Sequence, residues 1–218
     1  MIENADKYVG KDSYSLQDLI EITKLLRIGC PWDREQTHDS IRKNFIEEVY
    51  EAVDAIDKND KELLREELGD VLMQVVFHAV MCEEDNEFTM NEVICEVCRK
   101  LIVRHPHIFA DTKADSSDAV LTNWDEIKRK TKNQKSVKET VDDVPKSLPS
   151  LMRAQKIAKR ASKGDYKLSK RYEGMSQEDA EKQISAELFD ICSAAQAQKI
   201  DAEEILYKYC DEFSSKLH

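Results

Sequence analysis

Residues 41–80 read IRKNFIEEVYEAVDAIDKNDKELLREELGDVLMQVVFHAV. Two helical segments lie in this stretch, separated by the polar turn Lys58-Asn59-Asp60. The first carries Glu47, Glu48 and Glu51, and the second carries Glu67 and Asp70. Residues three apart on a helix differ by about 60° around its axis and share a face. Glu48 and Glu51 are therefore neighbours, as are Glu67 and Asp70, and Glu47 reaches the same side one turn before Glu51. So short a connection makes the two helices antiparallel neighbours. If their acidic faces meet, several carboxylates converge, which is costly unless cations lie between them. Hard divalent cations with oxygen ligands suit such a site, Mg²⁺ above all where a phosphate completes the shell.

Acidic residues on a helix are more often a solvated face, and a single ExxD pair carries little weight. Two features favour a metal site here. In the first segment Ile41, Phe45, Val49, Val53 and Ile56 form an apolar stripe, with the carboxylates roughly opposite. In the second, Leu64, Leu68, Val71, Leu72, Val75, Val76 and Phe77 cover most of the circumference, so a largely buried helix is expected around Glu67 and Asp70. Gly69 stands between those two and costs about 1 kcal/mol relative to alanine inside a helix. Its presence suggests that something approaches the backbone closely.

The pattern Glu47-Glu48-x-x-Glu51 followed by Glu67-x-x-Asp70 resembles the MazG family of nucleoside triphosphate pyrophosphohydrolases. The flanking stretches resemble it too: GCPWDREQT at 29–37, EELGDVLMQVVFHA at 66–79, RHPHIFAD at 104–111 and VPKSLPSLMRAQKIAKR at 144–160. The similarity runs from about Leu19 to Arg160. It implies an all-α, four-helix-bundle fold. It also implies hydrolysis of a nucleoside triphosphate to the monophosphate and pyrophosphate, with Mg²⁺ as cofactor and Mn²⁺ as the alternative. Bundles of this family pair around their active sites, so a homodimer or higher homo-oligomer is expected.

Composition agrees. Of 218 residues, 35% are charged and only five are glycine and four proline, which favours helices. The net charge of −11 argues against a nucleic-acid polymer as partner but not against a single nucleotide held through cations. No apolar run approaches a membrane span, and no N-terminal stretch has a basic start before an apolar core, so a cytoplasmic protein without membrane attachment is expected. The six cysteines are then read as reduced thiols, and Cys95-x-x-Cys98, inside a periodic helix, as small core residues.

Along the chain, Ser15-x-x-Asp18 opens a helix to about Leu26, Gly29-Cys30-Pro31 stops it, and residues 32–36 read as a loop carrying Trp32. After the helix pair, Thr89-x-x-Glu92 opens a further helix to about Arg104, which His105-Pro106-His107 ends. Four amphipathic helices with short connections read as a four-helix bundle. A short helix over 120–132 holds Trp124 and Lys128, residues 132–147 read as a proline-punctuated linker, and another helix spans about 151–162. The expected domains are a catalytic bundle over 1–135, a linker over 136–150 and a helical tail over 151–218. Ser176-x-x-Asp179 and Asp201-x-x-Glu204 open the tail's last two helices. By resemblance to long MazG proteins, which contain two bundles, the tail is a degenerate second copy. Gln183 and Ala186 then stand where an ExxD pair would be.

The resemblance assigns Glu48, Glu51, Glu67 and Asp70 as metal ligands. Glu47, one residue earlier, becomes the group that orients or deprotonates the attacking water. Lys100, Arg104 and Lys128 match positions that face the phosphates, with Trp124 beside them and Trp32 bordering the base pocket; for each basic residue a plain surface ion pair is the competing reading. Two alternatives stand beside the general activity. One is a narrower pyrophosphohydrolase for dUTP, dCTP or phosphoribosyl-ATP, and the other a non-catalytic nucleotide-binding regulator.

Overall fold

The computed structural model describes residues 5–110, 116, 120, 123, 124, 127, 131 and 136–217. Among these residues the regular structure is all helical: α1 Leu16–Gly29, α2 Pro31–Glu35, α3 Arg42–Asp57, α4 Lys61–Glu84, α5 Met90–Arg104, α6 Pro106–Phe109, α7 Val137–Asp142, α8 Ser150–Ala161, α9 Gln177–Ala197 and α10 Ala202–Ser215. None of the described helices is long and apolar enough to cross a membrane. The chain divides into two compact units, Met1–Phe109 and Ala110–His218.

In the first unit α1, α3 and α5 each pack on α4. The sequence specifies their ends. Ser15 and Asp18 form a reciprocal capping box, as do Thr89 and Glu92, and the Asp60 side chain accepts from the backbone amides of Glu62 and Leu63. The α3–α4 reversal is a Schellman turn: Asp60 N donates to Ala55 O, Asn59 N donates to Ile56 O, and Asn59 sits in the left-handed region at φ 53°. Asparagine tolerates that conformation better than most residues. The core joins Ile20 of α1, Val76, Ala79 and Val80 of α4, and Met90 of α5; Ile41, Phe77 and Met81 form a smaller cluster.

Most of the stretch expected as a loop, 32–36, belongs to a helix of one turn over Pro31–Glu35, with Pro31 at its start, where proline's missing N–H is no loss. Arg27 anchors it. Its guanidinium donates to the carbonyls of Asp33 (2.5 Å) and Gln36 (2.9 Å), and it pairs with Glu84 of α4 at 2.6 Å.

Helix α3 departs from the expected packing. Ile41, Ala52 and Ala55 are buried with Glu48 half-buried, whereas Val49, Val53 and Ile56 of the apolar stripe are exposed. The face carrying Glu48 is thus the inner one, with Glu47 and Glu51 left exposed beside it. Ala52 and Ala55 lie on it and present little bulk, so α3 can lie close against α4. Helix α4 is likewise buried only in part: Val76, Phe77, Val80 and Met81 are enclosed, but Leu68, Leu72 and Met73 are exposed. Cys98, read as a core residue, is exposed, and all six cysteines are free thiols.

In the second unit α7, α8 and α10 enclose Val141, Val144, Ile157, Ala161 and Cys210. Residues 136–150 therefore include a core-forming helix where the sequence suggested a linker, because Val137 and Val141 on the helix, with Val144 just beyond its end, supply an apolar face. Arg153 of α8 is buried, pairs with Asp211 and stacks on the Tyr207 ring at 4.9 Å. Helix α9 buries none of its residues.

Candidate metal centre

The inner face of α3 meets α4 at a carboxylate cluster. One oxygen each of Glu48, Glu67 and Asp70 lies within 4.8 Å of the others. Antiparallel packing places Glu48 opposite the Glu67–Asp70 turn of α4. Opposite ligands of an octahedral Mg²⁺ are about 4.2 Å apart, twice a bond of about 2.1 Å, so small side-chain movements would bring all three into coordination. Carboxylate oxygens alone suit a hard cation rather than a soft one. The donor set therefore fits a divalent metal ion.

The electrostatics show the strain of this arrangement. Burial pushes the Glu48 carboxyl above its ordinary pKa, and the charges of Asp70 and Glu51 push it further, while a hydrogen bond from Gln74 opposes them. Glu67 is raised first by burial, then by Glu51 and Asp70. In both cases ionisation is penalised by desolvation and by like charges, and a bound cation would remove the second penalty.

Glu51 is exposed but close enough to act on both Glu48 and Glu67. Glu47 is exposed, and its near partner is Lys43 of the preceding turn at 3.9 Å. Lys100 is exposed on α5 and pairs with Glu96 at 3.6 Å. Arg104 closes α5 and is half-buried with partners of its own. Trp32 is exposed on α2. Trp124 belongs to the second unit and is half-buried; Lys128 lies outside the described residues. Gly69 has open space where a Cβ would stand, so among the described residues no side chain or neighbouring element closes on it.

Sequence reading passed over two features. Gln74 is buried beside Glu48; a lone polar residue in the run LMQVV, one turn after Asp70, was the available signal. His38 and His78 stack 5.0 Å apart with their Nδ1 atoms at 2.7 Å, and the Cys82 sulfur lies 3.5 Å from His38 Nε2. This pairing joins residues 40 apart in sequence, and no local pattern announces it.

The model of the MazG nucleotide pyrophosphohydrolase domain matches residues 36–109, the stretch that contains all these carboxylates. The nucleoside triphosphate pyrophosphohydrolase/pyrophosphatase MazG of Thermotoga maritima is 34% identical over 213 residues, covering 90% of this chain and 82% of that protein. The chain belongs to the MazG family. A nucleoside triphosphate pyrophosphohydrolase of Escherichia coli K12 is 49% identical over 134 residues, 62% of this chain and 51% of the relative. This MazG-family chain thus spans about half the length of that relative. The solved structure of a mazG-related protein from Thermotoga maritima aligns with 52% of this chain and 99% of its own, at 27% identity and a TM-score of 0.46.

Proposed function

We propose that this MazG-family chain hydrolyses nucleoside triphosphates to the monophosphate and pyrophosphate, with Mg²⁺ held by Glu48, Glu51, Glu67 and Asp70, and that it serves to clear the nucleotide pool. The observation that carries this reading is the cluster itself: three carboxylate oxygens within 4.8 Å of one another, one of them from a buried glutamate, on the packed faces of two helices. Mg²⁺ bound there would offset the charge of the phosphate oxygens and lower the pKa of water.

The remaining work falls to side chains of the protein. Hydrolysis at the α-phosphorus forms a bond to a water oxygen and breaks the bond to the bridging oxygen of the departing pyrophosphate. Glu47 is proposed to orient that water and accept its proton at the carboxylate; its support is its exposed position one residue before Glu48. Lys100 and Arg104 are proposed to contact phosphate oxygens, and Trp32 to border the base. Trp124 and Lys128 join this set on the family pattern alone.

A homodimer is proposed as well. Ile46, Val49, Tyr50, Val53 and Ile56 form an exposed apolar strip on the outer side of α3, and so continuous a surface supports burial against a second copy. Light scattering at micromolar concentration tests this; a monomer with full activity refutes it.

The activity is tested by offering purified protein a panel of nucleotides, including dUTP, dCTP and phosphoribosyl-ATP, and identifying products. Monophosphate and pyrophosphate formed only with Mg²⁺ or Mn²⁺ is the expected result. Turnover confined to one of these narrows the substrate. Binding without turnover, or release of orthophosphate, refutes the reading.

A further inference from the structure

Gln74 lies on α4 one turn beyond Asp70 and one turn before His78, with only 7% of its surface exposed. Its amide reaches the Glu48 carboxylate as a hydrogen-bond donor. Its carbonyl oxygen, Oε1, is buried and has no partner among the described residues. Turning the amide over would set that oxygen against a carboxylate and leave the NH₂ group in its place, so it would not resolve the mismatch. Buried polar atoms are nearly always paired, and an orphan calls for a physical reason. A leucine or methionine would fill the same space without the penalty.

We infer that Gln74 is a positioning residue of the metal centre: its NH₂ group tethers Glu48 for coordination, and its Oε1 is an acceptor reserved for a water of the cation's hydration shell. The inference rests on the proposed reading of the cluster as a cation site. Mg²⁺ and Mn²⁺ bound by few protein groups keep several waters, each with protons to donate. A buried acceptor beside the ligands would satisfy one of them and be satisfied in turn. The partners of metal ligands commonly set affinity in this way, and their loss weakens metal binding about 10- to 100-fold. On this account the protein carries an unpaired carbonyl in the metal-free state and pairs it on loading.

The test uses the full chain, with Mn²⁺ as probe. Binding is followed by calorimetry and by the Mn²⁺ electron-spin-resonance signal, and thermal unfolding is measured in EDTA. Gln74→Met keeps the volume and removes donor and acceptor. It is expected to weaken Mn²⁺ binding at least tenfold, with a melting temperature in EDTA no lower than that of wild type. Unchanged Mn²⁺ affinity overturns the inference. So does weaker binding with a lower melting temperature in EDTA, the signature of a residue that only packs. Gln74→Glu keeps an acceptor oxygen and gives up the donor, and it serves also if the methionine variant does not fold. It is expected to bind Mn²⁺ within about tenfold of wild type and to melt lower in EDTA; binding weakened beyond that limit overturns the acceptor role. Asp70→Asn separates the two levels. If wild type and Asp70→Asn bind Mn²⁺ equally, the cluster is not the cation site and the underlying reading fails; if only the Gln74 variants match wild type, the inference alone fails.

Discussion

Replacing Asp70 by asparagine should make the metal-free protein more stable and abolish the proposed hydrolysis. The substitution keeps the shape of the side chain and removes one of the three charges whose oxygens lie within 4.8 Å. At that distance the repulsion between Asp70 and Glu48 is about 1 kcal/mol with water-like screening and about 3.5 kcal/mol at an effective dielectric of about 20. Both side chains are only half-buried, so the lower figure is the better guide. For a unit of this size, about 1 kcal/mol corresponds to roughly 4 °C in melting temperature. With Mg²⁺ the order should reverse. Wild type gains about 2.7 kcal/mol at a concentration 100 times its dissociation constant, whereas the variant, short of a ligand and a charge, gains little. Differential scanning calorimetry at pH 7.5 and low salt, in EDTA and in Mg²⁺, should therefore show the two unfolding curves exchange order. Pyrophosphate release should be abolished. Added salt should shrink the variant's advantage in EDTA, since half-exposed charges are screened. An Asp70→Asn protein that melts below wild type in EDTA, or shows the same Mg²⁺ shift, refutes the electrostatic reasoning; one with normal turnover refutes the site.

Glu47→Gln should reduce turnover about 100-fold or more, the usual weight of a general base, while leaving the Mg²⁺-induced melting shift largely in place; loss of that shift would make Glu47 a ligand instead. Gly69→Ala should stabilise the protein by about 0.5–1 kcal/mol, because a helical alanine replaces glycine and the space for its Cβ is open; a lower melting temperature would mean that another molecule uses that space. Metal-free stability should fall as pH rises from the ordinary glutamate pKa of about 4.3 through the raised values of Glu48 and Glu67, because the folded state binds these protons more tightly than the unfolded one. Asp18 and Glu21, held at about 2 by hydrogen bonds from Lys11 and Lys7, contribute with the opposite sign and lose their effect only as pH falls below that window. Unfolding in EDTA between pH 4.5 and 7.5 checks the slope, which Asp70→Asn should flatten; stability rising with pH across that range would contradict it.

Much of the fold was legible because its signals are local. The capping boxes at Ser15 and Thr89 each need four consecutive residues, and the structure forms both. The Lys58-Asn59-Asp60 turn was legible for the same reason. Helix periodicity fixes which residues share a face, however, and not which face a neighbour covers. In α3 two faces competed: Ile41, Phe45, Val49, Val53 and Ile56 looked like the buried one by hydropathy. The structure keeps Ile41 and Phe45 inside but turns Val49, Val53 and Ile56 outward and encloses Ala52 and Ala55. Alanine contributes little to a hydrophobic stripe, yet its small size allows close helix packing, and that advantage is invisible until the neighbouring helix is in place. The same limit explains residues 136–150. Proline and polar residues marked a linker, while three valines at helical spacing were too few to outweigh them without α8 and α10 to pack against.

The centre divides along the same line. Glu48, Glu67 and Asp70 were legible from i, i+3 spacing and a short reversal, and the structure brings them together. The raised pKa values of Glu48 and Glu67 follow from the same geometry. Gln74 was not legible, because its importance lies in an unpaired atom, and only a three-dimensional structure can show that a donor is missing. The two faces of α3 then have a common logic. A helix that turns a carboxylate toward its neighbour gives up apolar burial on that side and keeps its larger side chains outside. Cation binding would offset the charge on the inner face, and a second copy would cover the apolar strip on the outer one. If both occur, metal-free protein should lose stability on dilution, and Mg²⁺ should restore it without changing which helices meet.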